Sequence, residues 1–139
     1  LSDRADMLEQ LHGWACSLGE HSRRSRGLYT VLERGLINHI AHYQDADDPQ
    51  IASLGERFAR LGIEAVLLVV SPGRIRERVR LRQVQLRADA SPARLDELAE
   101  AFARSQESML AALGQTALPG RVICTDDMDW DAYAQQILS

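Results

Sequence analysis

Apolar and polar positions along the chain alternate between patterns typical of strands and patterns typical of helices. Ile63–Val70 (IEAVLLVV) is apolar almost throughout, which favours a strand covered on both faces. Leu28–Glu33 (LYTVLE) is rich in β-branched and aromatic residues and predicts another strand, and Arg121–Thr125 (RVICT) a third. Helical spacing and capping residues predict helices towards Leu18, over Leu36–Tyr43, from Pro49 to Gly62, from Ser71–Pro72 through an arginine-rich segment, from about Ala93 to Leu113, and over Asp129–Leu138.

This alternation predicts an α/β fold, in which a parallel sheet lies between two layers of helices. A length of 139 residues is enough to bury a core, so we expect one domain over residues 1–139. Hydrophobic residues make up 45% and charged residues 26% of the chain, which excludes a disordered or fibrous protein.

Charge and cysteine content narrow the classes of partner. No apolar run approaches the roughly 18–20 residues of a membrane span, so we expect no membrane partner. Cys16 and Cys124 lie far apart without metal-ligand spacing, which is typical of a reducing compartment and predicts a cytoplasmic protein. A net charge of −4 argues against nucleic acid as the main partner.

The chain contains no lysine, because all 16 of its basic residues are arginine. A phosphate-binding loop of the form G-x-x-x-x-G-K-[ST] is therefore excluded within these residues. A lysine that forms a Schiff base is excluded for the same reason.

An acid and an arginine, Glu33 and Arg34, follow the first predicted strand. Open parallel sheets bind ligands beyond the carboxyl ends of their strands, so this pair is a catalytic candidate. The guanidinium of Arg34 would grip phosphate oxygens in a bidentate manner, and Glu33 would orient it. The alternative is a local ion pair that ends the strand.

Asn38 and His39, on the following predicted helix, are candidates for binding the substrate, with a plain surface position as the alternative. We expect no metal site, because acidic and cysteine ligands at suitable spacing are absent around His39. The aspartates in the acidic cluster at residues 124–131 could hold a metal ion, but a helix cap at Asp127 or Asp129 explains most of the cluster and is favoured.

Arg74–Arg87 (RIRERVRLRQVQLR) holds six arginines and one glutamate. The pattern predicts a helix that buries Ile75, Val79 and Val84. Its arginines fall on two faces, one with Arg74, Arg78 and Arg82 and the other with Arg76 and Arg80. Such a helix could present a solvated face, bind nucleic acid, or supply cations to the phosphates of a nucleotide.

In this order, the segments resemble the later part of a P-loop small-molecule kinase, near the thymidylate kinases and other nucleoside-monophosphate kinases. TVLERG resembles the family's apolar strand that ends in an acidic residue and an arginine, with Glu33 where aspartate is usual. AVLLVVSPGRIRERVRLR resembles the next core strand, the Ser-Pro helix start and an Arg-(Leu/Val)-x-x-Arg pattern. RVICTDDMDWDAYAQQIL resembles the terminal strand and helix.

The resemblance implies an ATP-dependent phosphotransferase that uses Mg²⁺ and acts on a nucleotide or another small molecule. It places Glu33 and Arg34 at the acceptor, and Arg78 and Arg82 at the donor nucleotide. The flanking arginines would lie near a mobile lid; they are Arg74, Arg76 and Arg80.

The family's glycine-rich loop, its lysine and the strand before them have no counterpart in this chain, which leads us to expect a longer parent protein. The alternatives are a catalytically inactive kinase-like module with a binding or regulatory role and, ranked last, an arginine-helix nucleic-acid binder. A homodimer is also possible on this interpretation.

Overall fold

The computed structural model describes residues 2–25, 29–33 and 35–138. They form a mixed α/β structure that is mostly helical, with one small sheet of two parallel strands. The elements are α1 (Ser2–Arg24), α2 (Leu36–Tyr43), α3 (Pro49–Arg60), β1 (Ala65–Val69), α4 (Pro72–Gln85), α5 (Pro92–Gly114), β2 (Gly120–Cys124) and α6 (Trp130–Leu138). The chain divides into two compact units, the first comprising Leu1–Ala65 with Ala111–Arg121 and the second Val66–Leu110 with Val122–Ser139.

The first unit is built on α1, α2 and α3. Each helix buries an apolar side, and the buried residues are Leu8, Ala15, Leu36, Ile37, Ile40, Ile51, Leu54 and Phe58. A two-pronged ion pair joins α1 to α3, because the two terminal guanidinium nitrogens of Arg57 donate to Glu9, at 2.8 and 3.3 Å. This hydrogen bonding lowers the pKa of Glu9.

The helix ends of this unit largely follow local sequence rules. Asp48 accepts a hydrogen bond from the backbone N–H of Gln50 at 2.8 Å, and Pro49 is the first residue of α3, which confirms the predicted cap. Gly62, with a φ of 75°, follows the end of α3 as predicted. α1 is longer than predicted and reaches Arg24, because the polar residues after Leu18 are compatible with a helix.

The second unit has its core between α4 and α5. Val70, Ile75, Val79 and Leu95 form a buried cluster, against which residues of α5 such as Phe102 pack. Val84 was expected on the buried side of α4, yet 63% of it is exposed. Nine residues after Ile75, a helix has turned by about 180°, so Val84 faces away from that core.

Two hydrogen bonds define the register of the sheet. The N–H of Ala65 donates to the carbonyl of Pro119, and the N–H of Thr125 donates to the carbonyl of Val69, both at 2.8 Å. Ala65 therefore lies beside Gly120 and Val69 beside Cys124, which confirms the strands predicted in these two segments.

The strand predicted over Leu28–Glu33 is wrong for the part that the structure describes. Tyr29–Glu33 is not a strand, and its side chains are exposed, with 82% of Val31 in contact with solvent. β-propensity mainly reflects packing against neighbouring strands, and no strand in the described residues pairs with this segment. Leu28 and Arg34 are outside the described residues.

Among the described residues, no helix is long and apolar enough to cross a membrane.

Candidate functional site

The carboxyl ends of β1 and β2 are held together in the second unit. Thr125 follows β2, and its backbone N–H and its hydroxyl both donate to the carbonyl of Val69, at 2.8 and 2.9 Å. Thr125 is almost fully buried, with 2% of its surface exposed. The two strands therefore deliver the segments that follow them to one edge, where parallel sheets bind ligands.

Asp126 interacts with the start of α4 at this edge. One of its carboxylate oxygens accepts a hydrogen bond from the backbone N–H of Ser71 at 2.9 Å. Hydrogen bonding by the hydroxyl and the N–H of Ser71 lowers the pKa of Asp126, and the charge of Arg74 acts in the same direction. The positive end of the α4 dipole is thus already paired with a carboxylate of the protein itself.

Arg78 connects α4 to the segment after β2. Its guanidinium donates to the carbonyl of Thr125 and lies 5.8 Å from the ring centroid of Trp130. The ring of Trp130 also meets Tyr133 edge-on, with 5.6 Å between the two centroids. Because 53% of Trp130 remains exposed, this tryptophan offers an aromatic surface beside a half-buried arginine.

The other arginines of α4 differ in their pairing. Arg74 donates to Glu77 at 3.3 Å, and Arg76 pairs with Asp96 on α5. Within the described residues, the exposed side chains of Arg80 and Arg82 make no hydrogen bond or ion pair. Arg82 lies one turn after Arg78 on the same helical face.

The candidate acceptor residues lie in the first unit. Glu33 is exposed and makes no ion pair with the described residues, and Arg34 lies outside them. Asn38 is exposed. His39 is buried, with its Nε2 at 3.2 Å from a carboxylate oxygen of Asp45.

His39 forms part of the wall of a small cavity in this unit. The cavity has a volume of about 230 Å³, and its lining is mainly apolar. It is lined by Met7, Leu8, Gln10, Leu11, Trp14, Gly35 and His39. A histidine beside an apolar cavity fits the predicted role in binding substrate, which stays a prediction, and Asn38 is not part of the lining.

Asp126, Trp130 and Trp14 were not singled out from the sequence as site residues. The acidic cluster was expected to be explained by a helix cap, and Asp129 does cap α6 by accepting from the N–H of Ala132 at 3.1 Å. Asp126, by contrast, contacts Ser71, which is 55 residues away in sequence. Local sequence patterns do not predict a contact between residues so far apart in the chain.

The described residues contain no group of three or more histidine, cysteine or acidic side chains that could hold a metal ion. Searches with protein-family models, against curated proteins and against solved structures found no match for this chain.

Proposed function

We propose that this chain belongs to an ATP-dependent phosphotransferase of the P-loop small-molecule kinase type. Its donor side would be the face of α4 that carries Arg78 and Arg82. Its acceptor side would comprise Glu33, Arg34 and the cavity beside His39. The observation that carries the proposal concerns the guanidinium of Arg82, which has no ion-pair partner among the described residues and lies one turn after an arginine anchored at the strand ends.

Arg82 is better suited to bind phosphate than the paired arginines of the helix. Arg74 and Arg76 would have to release a carboxylate before they could engage a ligand. The guanidinium of Arg82 has no such competitor among the described residues, and its planar set of donors matches phosphate oxygens. Arg80 also has no ion-pair partner in the described part of the chain and would lie on the neighbouring face, where the resemblance expects the lid.

Trp130 supports the nucleotide half of the proposal. Its half-exposed ring, with Arg78 close to it, offers a surface on which a base can stack. Stacking on an aromatic side chain contributes about 1–3 kcal/mol per base and tolerates any base. The base would lie on Trp130, while Arg82 engages the phosphates.

The start of α4 is a poorer phosphate site, because Asp126 would repel an anion there. A bound ATP would supply the phosphoryl group, and the arginines would hold it and offset its negative charge. In such an enzyme, Mg²⁺ would be held mainly by phosphate oxygens and water.

A second candidate function is a kinase-like module that binds the same anions without transferring phosphate. The absence of lysine favours it, because a phosphate-binding lysine would have to come from sequence beyond these 139 residues. Binding of nucleic acid is the weakest alternative, because α4 contains no aromatic residue to stack between its arginines.

Isothermal titration calorimetry with ATP, ADP and pyrophosphate tests the proposal. We expect the chain to bind ATP, and Arg82→Ala to weaken that binding about ten- to a hundredfold, as expected for one lost charged contact. Arg104→Ala is the matched control, because Arg104 is also exposed, lies on α5, and pairs with Glu100, four residues before it.

Absence of nucleotide binding by the unaltered chain would contradict both candidate functions, and equal affinities in the two variants would contradict the role of Arg82. A phosphoryl-transfer assay separates the candidates. Binding without transfer, even when the chain is joined to a lysine-containing phosphate-binding loop, would favour the inactive module.

A further inference from the structure

β1 uses only one of its two edges to pair with β2. In a strand, the N–H and C=O of one residue point to one side, and those of the next residue point to the other. Ala65 and Val69 bond towards the β2 side, through Pro119 and Thr125. The backbone groups of Val66 and Leu68 must therefore point to the opposite, outer edge of β1.

Along this outer edge, the backbone groups of Val66 and Leu68 are open, and those of Val70 are already hydrogen-bonded. Within the described residues, the backbone groups of Val66 and Leu68 have no hydrogen-bond partner, and Leu68 is 47% exposed. At Val70, the side chain of Gln106 takes the place of a neighbouring strand. Its amide oxygen accepts from the N–H of Val70 at 2.8 Å, and its amide nitrogen donates to the carbonyl at 3.0 Å.

Tyr29–Leu32 is the complementary feature in the described part of the chain. It combines β-forming residues with high exposure, at 62% for Tyr29, 82% for Val31 and 47% for Leu32. Four residues of extended chain span about 13 Å, enough to cover the open stretch from Val66 to Leu68. The added strand cannot pair beyond Leu68, because the side chain of Gln106 already hydrogen-bonds the backbone of Val70.

We propose that the outer edge of β1 binds Tyr29–Leu32 from a second copy of this chain, as an added strand. The described part of each copy carries an open edge at Val66 and Leu68 and a strand-forming segment with no strand beside it, so reciprocal exchange satisfies both in a closed two-fold dimer. Each exchanged strand is short, and the entropy lost on association offsets much of the free energy gained from strand pairing. We therefore expect a dissociation constant in the micromolar range.

Sedimentation velocity over a concentration series of the whole chain tests this dimer. We expect a monomer–dimer equilibrium that Leu68→Lys weakens at least about tenfold, because a charged residue at an edge opposes strand addition. Val122→Lys is the matched control, because Val122 is 50% exposed but lies on β2, at the opposite edge of the sheet. This control should dimerise like the unaltered chain.

A second pair of variants tests the donated segment without altering the sheet. Val31→Pro removes a backbone N–H and disfavours the added strand, whereas Val31→Thr keeps both the N–H and the β-propensity. We expect the proline variant to be the weaker dimer, with a melting temperature at low concentration equal to that of the threonine variant.

Hydrogen exchange provides the direct readout at the edge. The amides of Val66 and Leu68 should become protected as the dimer forms, and the protection should be lost in Val31→Pro. A monomer at all concentrations would overturn the proposal. So would a dimer in which Leu68→Lys and Val122→Lys behave alike, or one that leaves these two amides unprotected.

Discussion

Two apolar stretches, Tyr29–Glu33 and Ala65–Val69, have different structures although both are rich in strand-forming residues. Ala65–Val69 is β1, whose residues are partly buried except for Leu68, and it continues into the core through Val70. Tyr29–Glu33 is not a strand, and all of its side chains are exposed.

The difference shows what a strand needs besides suitable residues. β1 has β2 beside it, and the side-chain amide of Gln106 satisfies Val70 where β1 ends. Within the described residues, Tyr29–Glu33 has no strand beside it, and a side-chain contact between Thr30 and Ser22 at 3.3 Å is its one hydrogen bond. Strand formation therefore depends here on partners distant in sequence rather than on local propensity.

The largest expected effect comes from comparing one valine in each stretch. Val70→Ala should lower the free energy of unfolding by about 2–3 kcal/mol, because it removes buried methyl groups from the core. Val31→Ala should change it by less than about 0.5 kcal/mol, because that side chain is mostly exposed. Urea unfolding at low protein concentration measures both, and equal losses would contradict the comparison.

The next effect isolates the side-chain amide at the edge of β1. Gln106→Leu removes both hydrogen bonds to Val70, and we expect unfolding free energy to fall by about 1–2 kcal/mol. Gln135→Leu, at an exposed position on α6, serves as the control and should have little effect. Denaturant unfolding of the two variants measures this difference. A Gln106→Leu protein as stable as the control would show that the hydrogen bonds of the amide do not contribute to stability.

A smaller effect depends on pH and concerns Asp126, the acid that accepts a hydrogen bond from Ser71 just after β1. The pKa of Asp126 is held below its ordinary value of 3.8, so its ionised form stabilises the folded state above about pH 4. This contribution is lost as the pH falls through the lowered pKa of the folded state. Asp126→Asn should therefore be less stable than the unaltered chain at neutral pH.

The difference between these two proteins should shrink below pH 4, which thermal melts across the pH range would record. Asp127→Asn is the control, because the neighbouring carboxylate accepts no hydrogen bond within the described residues. A stability difference for Asp126→Asn that did not change with pH would contradict this account.

The smallest expected effect comes from the acid that ends the other stretch. Glu33→Gln should leave stability within about 0.5 kcal/mol of the original at every pH, because Glu33 has no ion pair among the described residues. A larger, pH-dependent loss would mean that Glu33 acts as a structural ion pair after all. Any change in substrate binding without a change in stability would instead support its proposed acceptor role.

The candidate site could be anticipated only in part. Six arginines in Arg74–Arg87 and a Ser-Pro helix start are visible in the sequence, and they predicted α4 and its position after β1. The sequence does not show which of these arginines form ion pairs or hydrogen bonds. Arg76 finds Asp96 and Arg78 finds Thr125, contacts that span 20 and 47 residues. His39 was a candidate, but its cavity depends on residues of α1.

By itself, the sequence determined most helix positions, the strands β1 and β2, and the lack of lysine. These features depend on local propensity, capping and residue identity, as the cap at Asp48 illustrates. Only the tertiary structure decided that Tyr29–Glu33 is not a strand and that Gln106 closes one end of the β1 edge. It also decided that Arg82 has no ion-pair partner among the residues that the structure describes. Each of these depends on whether a partner distant in sequence is within hydrogen-bonding distance, which local patterns do not encode.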